Sequence, residues 1–213
     1  MDRLNQIKQE FSEKQNDFSE MLDTVEKQIV CTVLTKGYPH NVFPFEWELS
    51  GKGNLNSIEI ESIPPKTMSD NFFRTHYDNK GQVVLSEQWS FGKFRYITIY
   101  SYEKNIIKCF KWTIPLPADN DCKLESISLL EFENDKPTKK YEFHSVITLN
   151  TFCDYIYQDG ILVEIIVTSS TSKDKHTFEY EKDKSLSRII RTFSSEKSIQ
   201  QIYPRVKWLK TDD

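Results

Sequence analysis

The sequence predicts a mainly β protein: a long antiparallel meander, strongly curved or partly closed into a barrel, with an N-terminal amphipathic helix packed on it. Three observations carry this. An aromatic residue followed by an acidic one and by turn formers recurs along the chain, the runs between copies alternate apolar with polar side chains, and residues 1–30 alone carry a helical period.

The helix comes first. Leu4, Ile7, Phe11, Phe18, Leu22, Val25 and Ile29 return at spacings of three, four or seven, with Asp2, Lys8, Glu10, Glu13, Asp17, Glu20 and Lys27 on the other faces. No Gly or Pro intervenes before Gly37, so one continuous helix over 1–30 is expected, its apolar stripe lying on the chain's own sheet. Lys14 stands where a heptad wants an apolar residue, which disfavours a coiled-coil dimer. Next comes Gly37-Tyr38-Pro39-His40-Asn41-Val42-Phe43-Pro44-Phe45, whose two prolines forbid regular strand pairing. Tyr38, His40, Phe43 and Phe45 bring four rings together, either to plug the junction of helix and sheet or to form an exposed recognition loop. These four are the candidate partner-binding residues.

The meander is expected over 45–210. Its tips read Trp47-Glu48-Leu49-Ser50-Gly51-Lys52-Gly53, Tyr77-Asp78-Asn79-Lys80-Gly81-Gln82-Val83, Tyr102-Glu103-Lys104-Asn105-Ile106, Phe132-Glu133-Asn134-Asp135, Tyr157-Gln158-Asp159-Gly160-Ile161 and Tyr180-Glu181-Lys182-Asp183-Lys184-Ser185-Leu186. Successive copies start about 23 to 30 residues apart, room for two strands, a tight turn and a return loop. Phe110, Trp112 and Ile114 alternate with Lys111 and Thr113, and Phe178 and Tyr180 with Thr177 and Glu179, so one face is wet there. By contrast, Tyr96 to Tyr102 and Ile161 to Val167 carry bulky residues on both parities and are expected to be covered on both sides. Proline breaks at 64–65 and 115–117 lack the length of an interdomain linker, and the chain reads as a single domain over 1–213.

The unit Tyr77-Asp78-x-x-Gly81-x-Val83 resembles the YD repeat of the RHS-type proteins, and the tips at Tyr157 and Tyr180 resemble decayed copies of it. The resemblance implies a serial hairpin architecture. By analogy it points to the small β-meander proteins that give bacteria immunity to toxins.

Composition supports a folded chain. At 213 residues there is room for one large all-β domain, and with apolar residues at 38% but aromatics at 13%, the core must rest heavily on rings laid across strands. A formal charge of −4 is too small to argue a partner by itself. Its distribution is uneven: Lys173 to Lys210 holds ten basic and five acidic residues, a surplus that could steer a charged partner. The few aromatics there, Tyr203 and Trp208, do not make a nucleic-acid surface. The polar start Met1-Asp2-Arg3 and the interruption of the run Ile161 to Val167 by Glu164 predict no export signal and no membrane span. Cys31, Cys109, Cys122 and Cys153 lack any CxxC spacing and read as buried free thiols in a reducing cytosol.

Known signatures of catalysis are missing. No GxSxG, HExxH, Walker-type or GxGxxG motif is present, and Ser50-Gly51-Lys52-Gly53 reads as a turn. Four histidines, His40, His76, His144 and His176, stand at least 32 positions apart, so no metal site, cofactor or catalytic residue is assigned. The expected function is therefore non-catalytic: an intracellular immunity or inhibitor protein that neutralises a partner, a secreted toxin domain, by direct binding. Two alternatives stay open. One is a lipocalin-like carrier that holds an apolar ligand under the helix, and the other an enzyme whose site only the fold assembles.

Overall fold

The computed structural model describes residues 2–36, 45, 49, 58–59, 61, 72–90, 94–115, 122–145, 150–194 and 198–204. Two helices open the chain, α1 (Asp2–Lys14) and α2 (Phe18–Glu26), and thirteen strands follow. These are β1 (Cys31–Lys36), β2 (Ile58–Glu59), β3 (Phe72–Tyr77), β4 (Val83–Ser90), β5 (Phe94–Glu103), β6 (Ile106–Pro115), β7 (Lys123–Glu133), β8 (Lys136–His144), β9 (Thr151–Gln158), β10 (Ile161–Thr168), β11 (Lys173–Tyr180), β12 (Leu186–Thr192) and β13 (Ile199–Tyr203). All belong to one sheet in the order β13-β12-β11-β10-β9-β8-β7-β6-β5-β4-β3-β1-β2. From β3 onward each strand neighbours its successor, the antiparallel meander that the periodic tips predict. The sheet has β13 and β2 as end strands and is not closed into a barrel.

The single helix over 1–30 is replaced by two. It breaks at Gln15-Asn16-Asp17, where Asn and Asp, short polar side chains that compete for the backbone, favour a turn. At the break Lys14 Nζ donates to Asp17 Oδ2 at 2.9 Å and the Asp17 amide donates to the Lys14 carbonyl. The bond from Asp17 holds the Lys14 ammonium pKa above its ordinary value. The sheet also begins earlier than residue 45. β1 lies between β3 and β2, with Leu34 opposite Arg74 and Thr32 opposite His76. Its six residues are too short and too mixed in polarity to separate from the helix end by pattern.

Five of the six tips lie within the described residues, and all five join paired strands. At Asn134-Asp135 (φ 50° and 60°) and Asp159-Gly160 (φ 50° and 79°) both turn residues are left-handed, the geometry of a two-residue hairpin turn. The tips at Tyr77 and Tyr180 are built alike. Asp78 N–H donates to the Gln82 carbonyl and Gly81 N–H to the Asp78 carbonyl; Glu181 N–H donates to the Ser185 carbonyl and Lys184 N–H to the Glu181 carbonyl. Gly81 (φ 73°) and Lys184 (φ 67°) occupy the same left-handed position. Each hairpin has an irregularity next to the tyrosine, between His76 and Tyr77 and between Glu179 and Tyr180. The tip at Trp47 falls outside the described residues except for Leu49.

The strands divide into two compact units. The first holds both helices, β1 to β6 and residues 123–129 and 142–144. Its core contains Val25, Val84, Leu85, Ile97, Ile99 and Ile114, against which Phe18, Met21, Leu22 and Ile29 of the helical segment pack. Phe18 meets Trp112 edge-on at 5.5 Å, Phe11 meets Phe143 at 4.9 Å, and Lys108 bonds Glu10 at 3.0 Å. The second unit holds the rest of β7 and β8 with β9 to β13. Its core is Cys153, Leu162, Ile165, Phe178 and Ile189. A bulge between Leu162 and Glu164 shifts the parity of β10, which brings Leu162 and Ile165 into the same core although they stand three apart. That shift accounts for the bulky residues on both parities of Ile161 to Val167, where cover on both sides was expected.

Candidate functional site

Of the four rings expected to bind a partner, Tyr38, His40 and Phe43 lie outside the described residues. Phe45 is half-buried, with its ring 5.1 Å from that of Phe178, and packs with Leu49 against the core of the second unit.

Four arrangements remain, each set by cross-strand register. In the first unit a groove of about 400 Å³ lies beside α2, within the range of small-ligand sites. One wall is the helix stripe Asp17, Glu20, Met21, Thr24 and Gln28, and the other is the Tyr77 tip with Asp78, Lys80 and Gln82. Val25, Val84 and Ile99 form an apolar floor. Asp78 Oδ1 accepts the Lys80 and Gln82 amides at 2.8 and 2.9 Å, and the Tyr102 hydroxyl donates to the Val83 carbonyl at 2.9 Å, so the tip wall is fixed. Burial pushes the Tyr102 phenol pKa well up, which keeps it a donor.

The second arrangement runs along the row Leu34, Arg74, Glu87, Ile97, Trp112 and its neighbour Thr32, His76, Leu85, Ile99, Phe110. Arg74 reaches the buried Glu87 carboxylate at 3.0 Å, with its guanidinium carbon 5.0 Å from the Trp89 ring centroid. The exposed Thr32 hydroxyl is 2.8 Å from His76 Nδ1, while His76 Nε2 stands 3.9 Å from Glu87. Hydroxyl, imidazole and carboxylate thus stand in the order of a nucleophile relay, but the last gap is too long for a hydrogen bond.

A third arrangement, in the second unit, uses the same residue types. Arg191 Nε and Nη2 donate to Asp174 Oδ2 at 3.2 and 2.5 Å, with the guanidinium carbon 4.2 Å from the Phe193 ring centroid. His176 faces Arg191 directly across the ladder. Burial, with Arg191 next to it, lowers the His176 pKa to about 4. His144, by contrast, pairs with Glu142 at 2.9 Å.

The fourth is a surface. On the side of the second unit opposite its core, the rows Ile156, Glu164, Thr177, Ile190 and Asp154, Ile166, Lys175, Thr192 lie side by side. Ile156 is 37% exposed, and Ile166 and Ile190 are half-buried. Glu164 and Lys175 pair at 3.1 Å and Glu179 and Arg188 at 2.6 Å around them. Of the basic stretch read from the sequence, Lys175, Arg188 and Arg191 are paired with carboxylates. Sequence reasoning missed this surface because half-exposed isoleucines read as core until the register is known.

Among the described residues no set of three or more His, Cys, Asp or Glu is grouped to hold a metal, and no helix is long and apolar enough to cross a membrane. Cys109 and Cys153 are buried and Cys122 is partly buried, but Cys31, expected to be buried, is exposed at the start of β1. Fold and surfaces define the class: a single-sheet antiparallel β-meander protein with two capping helices. No protein-family model, curated protein or solved structure matches the chain.

Proposed function

We propose that the chain is a non-catalytic binding protein, an immunity or inhibitor protein that neutralises a secreted toxin domain by covering it with the outer face of β9 to β12. The observation that carries this is the group Ile156, Ile166 and Ile190, apolar and partly exposed on one face of the ladder, with the ion pairs Glu164–Lys175 and Glu179–Arg188 at its border. An apolar centre with a charged rim is the anatomy of a protein interface: the centre supplies affinity and the rim sets register and on-rate. The analogy with toxin-immunity proteins supplies the partner class.

The test is whether a toxin is encoded beside the gene and, by calorimetry, whether its purified domain binds the chain. Binding is expected to be saturable, and Ile156→Lys with Ile190→Asp should weaken it about a hundredfold while the far-UV spectrum stays unchanged. Binding indifferent to both substitutions, or no binding, overturns the reading.

A carrier is the second reading, favoured by the groove beside α2. The space directly under α2 is filled by Val25, Val84, Leu85, Ile97, Ile99 and Ile114, so any ligand held there is small and lies at the helix edge, with a polar rim above it. A ligand mass retained in native mass spectrometry would favour this reading.

A further inference from the structure

The set Asp174, His176 and Arg191 is under-satisfied in a specific way. Asp174 is 3% exposed and uses only Oδ2 for Arg191; its Oδ1 is shut off from solvent and has no hydrogen-bond partner among the described residues. Both His176 ring nitrogens are likewise buried and without a partner among them. Three unpaired polar atoms on one short stretch of ladder are expensive, because each lacks the hydrogen bonds it makes in water. Among the described residues the ladder neighbours of His176 are Arg191 opposite on β12, Ile165 opposite on β10, and Asp174 two residues back on β11. The ionisable side chains Glu164 and Lys175 lie on the other face.

We propose that this set is an acid-sensitive latch that loosens the β11–β12 ladder when His176 takes up a proton. A proton on the ring turns both nitrogens into donors and places a second cation directly against the Arg191 guanidinium. Among the described residues the neighbour able to answer is Asp174, whose Oδ1 has no hydrogen-bond partner there. Drawing that carboxylate toward His176 competes with the Asp174–Arg191 bridge, and the guanidinium, partly exposed beside Phe193, is repelled toward water. Opening the ladder relieves both the repulsion and the burial. The folded-state pKa of about 4 lies below the ordinary imidazole value of 6.5, so His176's contribution to stability is full above the unfolded value and is lost as pH falls from about 6.5 to 4. The latch is independent of what the outer face binds, and it gives unit 2 a response to acid that the proposed function does not require.

The test follows amide hydrogen exchange of β11 and β12 in the full chain between pH 7.5 and 5, corrected for intrinsic chemistry, beside carbon NMR of the imidazoles. Opening of β11–β12 is expected to be about thirtyfold more frequent at pH 5 than at pH 7.5, with β4 and β5 unaffected. His176→Gln and His176→Phe should remove the acid response, and one that folds suffices. Should neither fold, the wild-type imidazole decides alone. A His176 ring titrating near 6.5, an acid response unchanged in a variant, or equal acceleration in β4 and β5 overturns the latch.

Discussion

The β3–β4 and β11–β12 ladders each hold an arginine, a carboxylate and a histidine, with an aromatic ring two residues further along, yet they treat the histidine differently. On β3 the cation and the imidazole share a strand, Arg74 with His76, and the carboxylate Glu87 answers from β4. His76 therefore sees a carboxylate across the ladder and has a hydroxyl from Thr32. On β11 the carboxylate and the imidazole share a strand, Asp174 with His176, and the cation Arg191 answers from β12. Exchanging the sign leaves His176 facing a guanidinium with neither nitrogen bonded among the described residues. Residue types alone do not set a histidine's chemistry. Which strand carries which charge does.

The largest effect is expected from removing the acid in each ladder. Asp174→Asn leaves Arg191 without its counter-charge beside His176 and should cost roughly 2–3 kcal/mol. Glu87→Gln should cost only about 1 kcal/mol, because Arg74, about as exposed as Arg191, has no imidazole opposite it on the ladder and can turn to water. Urea unfolding of the two variants measures the difference, and equal losses would erase the contrast between the ladders. A smaller effect tests a feature that both units share. The Tyr102 hydroxyl donates to the Val83 carbonyl and the Tyr180 hydroxyl to the Leu162 carbonyl at 2.8 Å, each phenol tying a hairpin tip to the preceding hairpin. Tyr102→Phe and Tyr180→Phe should each lower stability by about 1 kcal/mol. If only one does, the staples are not equivalent.

Effects of the same size or smaller are expected at the twin tips. A Cβ at Gly81 meets nothing within 4 Å, so Gly81→Ala is penalised by its φ of 73° alone, about 1 kcal/mol. Lys184→Gly at the matching position should gain about half that, readable as a rise in Tm. A loss at Lys184 would separate two tips that the hydrogen bonds make alike.

Legibility in the sequence followed the range of the interaction. The Asn134-Asp135 and Asp159-Gly160 turns and the Tyr77 unit were readable because a hairpin turn selects its residues through local dihedral angles. Phe110, Trp112 and Ile114 were readable as one buried face, and they are 3%, 0% and 5% exposed. The break at Gln15 to Asp17 was less visible, since the apolar spacing continues across it. Placing β1 between β3 and β2 was not readable at all, because the pairing of Leu34 with Arg74 is decided by packing between distant segments.

By itself the sequence determined that this chain reverses direction again and again within one antiparallel sheet, because turn chemistry and side-chain alternation are local and act on neighbouring residues. Only the tertiary structure decided that the sheet stays open, that the helix is two helices, and that Ile156, Ile166 and Ile190 face outward. It alone set His176 against Arg191. Those outcomes depend on register, and a shift of one residue moves every side chain of a strand to the opposite face.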